Sequence, residues 1–435
     1  MKGKAVAMII DGEEYVSSNL FDVLSPRIGR LRHNSISATP EDARKAIESS
    51  ARALAQWRRS RPSQRRDTLL KVVDILIRDS KRLSDLVDAI DHVKDIAGCI
   101  SSTVEGAAPV VSDPDMKASI LKEPYGVVFS VAACSLRGAS GRSHKSFHEA
   151  GLPKGVVNFI SIDHAQASQV TEAIISHPAV KKITFTGSVA VGKAIAELAG
   201  RYVKPVLLEL GRQAPVIIWE DAGLDLAAAA CHYAAFAYAG RCCRGTERIL
   251  VHNSVRQAFE EKLHAAIKTD LKAEDDTRIM IRPGAVNRLK SMLKDAEAKG
   301  ASLTSPTGRV KGTDNDASRL NPVVLSCVTP DMQIYKQENF APTAILFEID
   351  NEEEALRIAN DTDTGLSASV FTKDLAQGFR LAEGIETGSV HINSMTIHDE
   401  SALPHGGCKS SGFGRFNGST GLSEWVLAKT ITWKA

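Results

Sequence analysis

The chain has 435 residues, more than one ordinary hydrophobic core supports, so two or three subdomains are expected. Its 43% hydrophobic and 24% charged residues are those of a soluble globular protein, and a net charge of +2 gives no electrostatic case for nucleic acid or an anionic membrane. Seven cysteines with no regular spacing and no Cys-x-x-Cys pair read as reduced thiols, and the apolar run over residues 5–10 is too short for a signal core or a membrane span, so the cytoplasm is the expected location.

Residues 8–36 read as short paired strands around Asp11-Gly12 and the Ser25-Pro26 turn. A helix follows from Thr39-Pro40 to about Arg58, with an N-cap threonine, proline in the first turn and acidic residues at the positive dipole end. A second helix spans residues 63–78 and a third begins near Ser80; the basic run 58–66 is their solvated surface. The pattern loosens between Gly98 and Tyr125, then a buried strand forms over residues 127–132.

From there strands and helices alternate: helix 143–150, strand 156–160, helix 165–176, strand 182–186, a helix reaching Ala199, and a strand closed by Glu209. Such a train argues for a right-handed parallel sheet with helices on its faces. Thr186-Gly187-Ser188 joins a strand to a helix start, an arrangement that offers free N–H groups to a phosphate.

Glu209 ends an apolar strand two residues before Gly211, where the backbone must turn. A carboxylate in that position faces a cleft, or it is a solvated strand end. An alanine-rich helix over 226–238, broken by Gly240, then leads to Cys242 and Cys243. The nearby cations Arg241, Arg244 and Arg248 would favour a nucleophilic thiolate. Residue types alone leave a buried, inert cysteine open, and Cys242 open as the reactive one. Further elements are a strand at 249–252, helices at 255–266 and 283–299, a strand at 322–325, a helix at 352–360, a strand at 364–372, a helix at 375–383 and a last strand at 428–433.

Glu209-Leu210-Gly211-Arg212-Gln213 and Gly240-Arg-Cys-Cys243-Arg-Gly-Thr-Glu-Arg248 resemble the two signatures of the aldehyde dehydrogenase superfamily, Glu-Leu-Gly-Gly-Lys and Gly-Gln-x-Cys-x-x-x-x-Arg. In that register Cys243, not Cys242, takes the nucleophile position. Phe185-Thr-Gly-Ser188, Gln337-Glu338-Asn-Phe340-Ala-Pro342 and His405-Gly-Gly-Cys-Lys-Ser-Ser-Gly-Phe-Gly-Arg415 extend the likeness over nearly the whole length.

The resemblance implies an α/β fold: a Rossmann-type parallel-sheet domain (1–110 and 125–209), a second α/β catalytic domain (210–415) and a small β oligomerisation arm (111–124 and 416–435) whose last strand pairs with a second subunit. It implies Cys243 as nucleophile, Glu209 as general base, and NAD or NADP held at Gly187, Ser188, Gly192, Leu210, Glu338 on the ribose and Phe340 on the nicotinamide, without a metal. A homodimer or homotetramer acting on a small-molecule aldehyde is implied, and the runs 391–400 and 412–418 resemble the benzaldehyde, salicylaldehyde and vanillin dehydrogenase branch.

Several departures accompany it. After strand 127–132 the family's oxyanion asparagine, a helix and the strand carrying the adenosine-ribose lysine are missing, so the sheet either opens or pairs 127–132 directly with 156–160. Arg212 and Gln213 stand in for Gly-Lys, Arg241 for the glutamine before the cysteine, and Thr364 for a tyrosine. Arg241 is expected to lower the Cys243 pKa further. Impaired aldehyde oxidation is the resulting expectation; the alternatives are a catalytically inactive protein of the same fold or a truncated gene model.

Overall fold

Thr39 starts the helix Pro40–Trp57 with a reciprocal capping box: its hydroxyl accepts the Asp42 N–H at 3.2 Å, while the Asp42 carboxylate accepts the Thr39 N–H at 2.9 Å. The computed structural model describes residues 5–25, 30–80, 87–132, 145–211, 213–270, 278–280, 283–305 and 319–434. Helices Pro62–Ser80 and Val87–Thr103 follow, and Gly98, where the sequence pattern loosens, lies inside the second of these. Two hairpins precede them, Met8–Ile10 with Glu13–Tyr15 and Leu20–Leu24 with Leu31–Ile36.

Two separate sheets organise the molecule. The smaller has three parallel strands in the order Val127–Ala132, Val180–Thr186, Val206–Glu209. On one face Val127, Val170, Ile174 and Val180 pack with Ala43 and Ile47 of the first long helix. On the other, Ile183, Phe185, Leu208 and Leu210 pack with Ile195 and Ala199 of helix Val189–Arg201.

The larger sheet has seven strands in the order Ser302–Thr304, Val323–Ser326, Thr343–Ile349, Thr246–His252, Ala214–Ile218, Ala368–Phe371, Val390–Ile392, all parallel except the first. Alternate residues of its buried strands divide between two cores. Ile217, Leu250, Ile345 and Val370 meet helix Pro283–Ala298 on one face, and Val216, Ile249, Leu346 and Phe371 meet helices Leu224–Phe236 and Arg256–Asp270 on the other. A sheet covered on both faces explains why Ala214–Ile218 is apolar throughout.

The expected strand at 156–160 does not form. Phe159 exchanges both backbone hydrogen bonds with Ile9 of the first hairpin, at 2.8 Å each, so its pairing capacity is spent on the N-terminal arm. Among the described residues the smaller sheet therefore ends at Val127–Ala132, the open-sheet outcome rather than the direct pairing. Residues 133–144, where the missing asparagine position would fall, and Arg212 lie outside the described residues.

The last strand, Val426–Lys434, pairs antiparallel with Met116–Pro124 of the same chain along all nine residues. Its second edge has no strand partner among the described residues. Lys182, beneath this ribbon, has a side chain only 3% exposed; it pairs with Glu424 at 3.0 Å and lies 4.8 Å and 5.1 Å from the ring centroids of Tyr125 and Trp425. Among the described residues no helix is long and apolar enough to cross a membrane.

Candidate active site

The strand Val206–Glu209 is held on both sides. Its inner neighbour sets Thr186 opposite Glu209, and the Gly187 N–H donates to the Glu209 carbonyl at 3.0 Å. Along its outer edge the Leu208 and Leu210 N–H groups donate to the carbonyls of Phe413 and Ser411, at 3.0 Å and 2.9 Å. Gly412 has φ +106°, and a Cβ there would stand 2.1 Å from the Leu208 carbonyl oxygen, so only glycine lets the two chains lie together.

Cys243 arrives from the other sheet. Helix Leu224–Phe236 ends two residues earlier than its composition suggests, because Tyr238 (φ 53°), Ala239 (φ 59°) and Gly240 (φ 67°) take left-handed backbone in succession. A Cβ on Gly240 would come within 2.0 Å of the Ala341 carbonyl oxygen, so the loop is pressed against residues 341–342. Cys243 and Arg244 form the centre of the turn closed by the Gly245 N–H on the Cys242 carbonyl at 3.0 Å. The Cys243 residue is half-buried, not walled off.

The two sheets bring sulfur and carboxylate together: the Cys243 thiol is among the neighbours that favour the charged form of Glu209, and the Glu209 charge acts back on the thiol. On the other side of Glu209, His405 Nε2 lies 3.3 Å from Oε1, both side chains being 11% exposed. Burial favours the neutral acid, but the hydrogen bond and charge of His405, the Cys243 thiol and the Arg244 charge together hold the Glu209 carboxyl below the usual range.

The expectation of a thiolate is overturned. The hydrogen bond shared with Cys242, burial and the negative charge of Glu209 push the Cys243 thiol well above the ordinary cysteine range, and Arg244 pulls the other way. Arg244 is itself neutralised by Asp399 at 2.7 Å and donates to the His398 carbonyl at 2.7 Å. Arg248 is fully buried and structural: it donates to the carbonyls of Tyr335 and Ile358, at 3.1 Å and 2.9 Å, and stacks on the rings of Tyr335 and Phe347.

The residues expected to hold a dinucleotide form a continuous wall beside this pair. Ser188 caps helix Val189–Arg201 through its carbonyl, which accepts the Gly192 N–H at 2.9 Å, while its hydroxyl takes no part in the cap. That leaves a helix N-terminus facing the turn after Gly187, suited to a pyrophosphate. Gly192 is buried against Leu210, where a Cβ would meet the leucine methyl at 2.4 Å, so this glycine lets helix and turn close on each other.

Glu338 reaches the same turn from the larger sheet: its Oε2 lies 2.5 Å from where a Gly211 Cβ would be. Phe340 (φ 47°) sits beside it, its N–H and that of Asn339 both donating to the buried Glu247 carboxylate at 3.1 Å. Gln213 is buried and braces this loop, donating to the Tyr335 and Gln337 carbonyls and accepting from the Thr362 hydroxyl at 2.8 Å. These residues fit the nicotinamide and pyrophosphate parts of NAD or NADP. On the adenosine side the described sheet stops at Val127–Ala132.

His405 and Glu247 are the two site residues that sequence reasoning passed over. Both stood inside quoted family motifs, Glu247 in the cysteine run and His405 at the head of the 405–415 run, without a role of their own.

Residues 15–133 and 142–431 match the aldehyde dehydrogenase family. The chain is 32% identical to a vanillin dehydrogenase of Pseudomonas fluorescens, over 98% of this chain and 97% of the relative. It is 30% identical to a salicylaldehyde dehydrogenase of Pseudomonas putida, over 95% and 94%. The first of these alignments runs to 479 positions, longer than the chain itself, so the relative carries segments this chain lacks. Among solved structures, that of the salicylaldehyde dehydrogenase from Pseudomonas putida G7 complexed with salicylaldehyde superposes with a TM-score of 0.92 at 26% identity, covering 100% of this chain and 99% of the other. A betaine aldehyde dehydrogenase from Staphylococcus aureus in complex with NAD+ superposes at 0.88 with 27% identity, covering 99% and 95%.

Proposed function

Because the chain belongs to the aldehyde dehydrogenase family, we propose that it oxidises an aromatic aldehyde to its carboxylic acid with NAD or NADP, through Cys243 and Glu209. What supports this is the Cys243 thiol and the Glu209 carboxylate standing close enough to shift one another's protonation, next to the turn where Glu338 meets Gly211. The separation of the chain into two sheets, one ending at Glu209 and one beginning at Ala214, supports a cofactor-binding part before residue 210 and a catalytic part after it.

The chemistry follows from the resting state of the pair. Glu209 takes the thiol proton as the sulfur bonds to the aldehyde carbon, and the backbone N–H of Cys243 faces the oxygen that becomes negative. The dinucleotide, when bound, supplies the acceptor for the hydride lost by that carbon. Cys243 is then held as a thioester, and Glu209 passes its first proton to solvent. Glu209 next removes a proton from water attacking the thioester; the acid leaves and the proton returns to the sulfur.

Reduction of NAD or NADP with benzaldehyde, vanillin and salicylaldehyde tests the reading. Turnover is expected in the native protein and none above background in Cys243→Ala; equal rates in the two would end it. The competing reading, an inactive protein of the same fold, draws on the short smaller sheet and requires that NAD and NADP show no saturable binding.

A further inference from the structure

His405 is not itself among the groups that react, yet its Nε2 lies 3.3 Å from the carboxylate that does. Its backbone is fixed by a two-way bridge with Phe416, the His405 N–H donating at 3.0 Å and the Phe416 N–H at 2.7 Å, and its ring lies against the Phe416 ring. Nε2 is thereby delivered to Glu209 Oε1 from the segment that also runs along the outer edge of the Glu209 strand.

The two partners of Glu209 differ in permanence. The Cys243 thiol loses its proton once sulfur bonds to carbon, so during the thioester stage it no longer supports the carboxylate. The contact of His405 with Glu209 Oε1 involves neither the sulfur nor the acyl carbon and outlasts the change. We propose that His405 is a positioning residue, holding the Glu209 carboxylate by the Nε2 to Oε1 contact while Cys243 is acylated, so that Glu209 is aimed at the attacking water.

Around the pair, the described titratable and charged groups are Cys242, Cys243 and Arg244 from the catalytic loop, His391 from strand Val390–Ile392, and His398 and Asp399 from the loop that follows. Arg244 and Asp399 are paired with each other, and burial pushes His391 down to about 4, so it is neutral near pH 7. His405 is therefore the partner of Glu209 whose removal changes the carboxylate most directly.

The inference rests on the proposed aldehyde oxidation, and its test carries one readout that does not. In His405→Phe, rapid mixing of enzyme, NAD and benzaldehyde is expected to give a first-turnover burst of NADH within about twofold of native. Steady-state kcat should fall roughly tenfold at pH 6, with its acid limb displaced upward by about one pH unit. His405→Gln, which keeps an N–H donor, should recover most of kcat at neutral pH. Separately, the infrared band of a protonated carboxyl that Glu209→Gln removes should titrate at higher pH in His405→Phe. A burst slowed as much as kcat, or a band that does not move, overturns the proposal. A band that moves in a protein that turns over no aldehyde leaves the His405 contact standing and removes the enzymatic reading instead.

Discussion

At the scale of single residues, the proposed nucleophile rests as a thiol beside a proposed base held toward its charged form, and this fixes two signs. Glu209 has a depressed folded pKa, so whatever stability its ionised form contributes is fully present above the ordinary carboxylate pKa and is lost as pH falls through the lower folded value. Cys243 is raised partly by the Glu209 charge. Glu209→Gln is therefore expected to stop steady-state turnover and yet to speed iodoacetamide alkylation of Cys243 near pH 7, because more thiolate is present. Slower alkylation in that variant, followed by mass spectrometry of the Cys243 peptide, would contradict the assignment. The pair itself was legible from two spaced motifs. The thiol state was not, since three arginines close in sequence suggested a cationic setting, whereas the fold buries Arg248 under Tyr335 and ties Arg244 to Asp399. His405 was illegible for a different reason: its partner belongs to a distant stretch of chain.

At the scale of elements, the helix announced by capping chemistry at Thr39 and the later helices at 283 and 352 were read to within a few residues. Thr39-Pro40 opens one and Pro283 another, while Asn351 caps helix Glu352–Asn360 by accepting the Glu354 N–H at 2.9 Å. The failures came where tertiary contact decides. Residues 156–160 look like a strand, but Phe159 pairs with Ile9 of the N-terminal hairpin and not with the open edge at Val127–Ala132. The helix before Cys243 stops at Phe236 because Gly240 must meet Ala341, which forces Tyr238 and Ala239 into backbone that side chains disfavour. Lys182 and Glu424 join the smaller sheet to the ribbon. Glu424→Gln leaves a buried ammonium without its counter-charge and is expected to cost about 3 kcal/mol in urea unfolding, whereas Lys182→Met with Glu424→Gln should recover much of it. Equal losses in the single and double variants would show that the pair does not act as a unit.

At the scale of the whole molecule, the ribbon of Met116–Pro124 and Val426–Lys434 is two strands wide, too thin to be stable without cover. Leu427, Ile431 and Trp433, with Leu121 opposite, share one of its faces and remain more than 40% exposed. A homodimer or homotetramer burying that face is the expected state, seen by sedimentation velocity as a species larger than one chain and reduced to monomer by Ile431→Asp with Trp433→Asp. A native protein that sediments as a monomer at micromolar concentration would remove the case. The alternation of strands and helices pointed to one parallel sheet and the family resemblance to a second domain; the openness of the smaller sheet could only be posed as one of two outcomes, because sequence does not say where Phe159 finds its partner. One contact ties a late stretch of chain to the turn after Glu209: Ser411 donates to the Gly211 carbonyl at 2.6 Å, 200 positions away. On a ribosome adding 5–20 residues each second, the stretch that aligns the base emerges roughly ten to forty seconds after the base itself. Until then the nascent protein has a cysteine and a carboxylate but lacks the segment whose carbonyls hold the outer edge of the strand that carries the carboxylate.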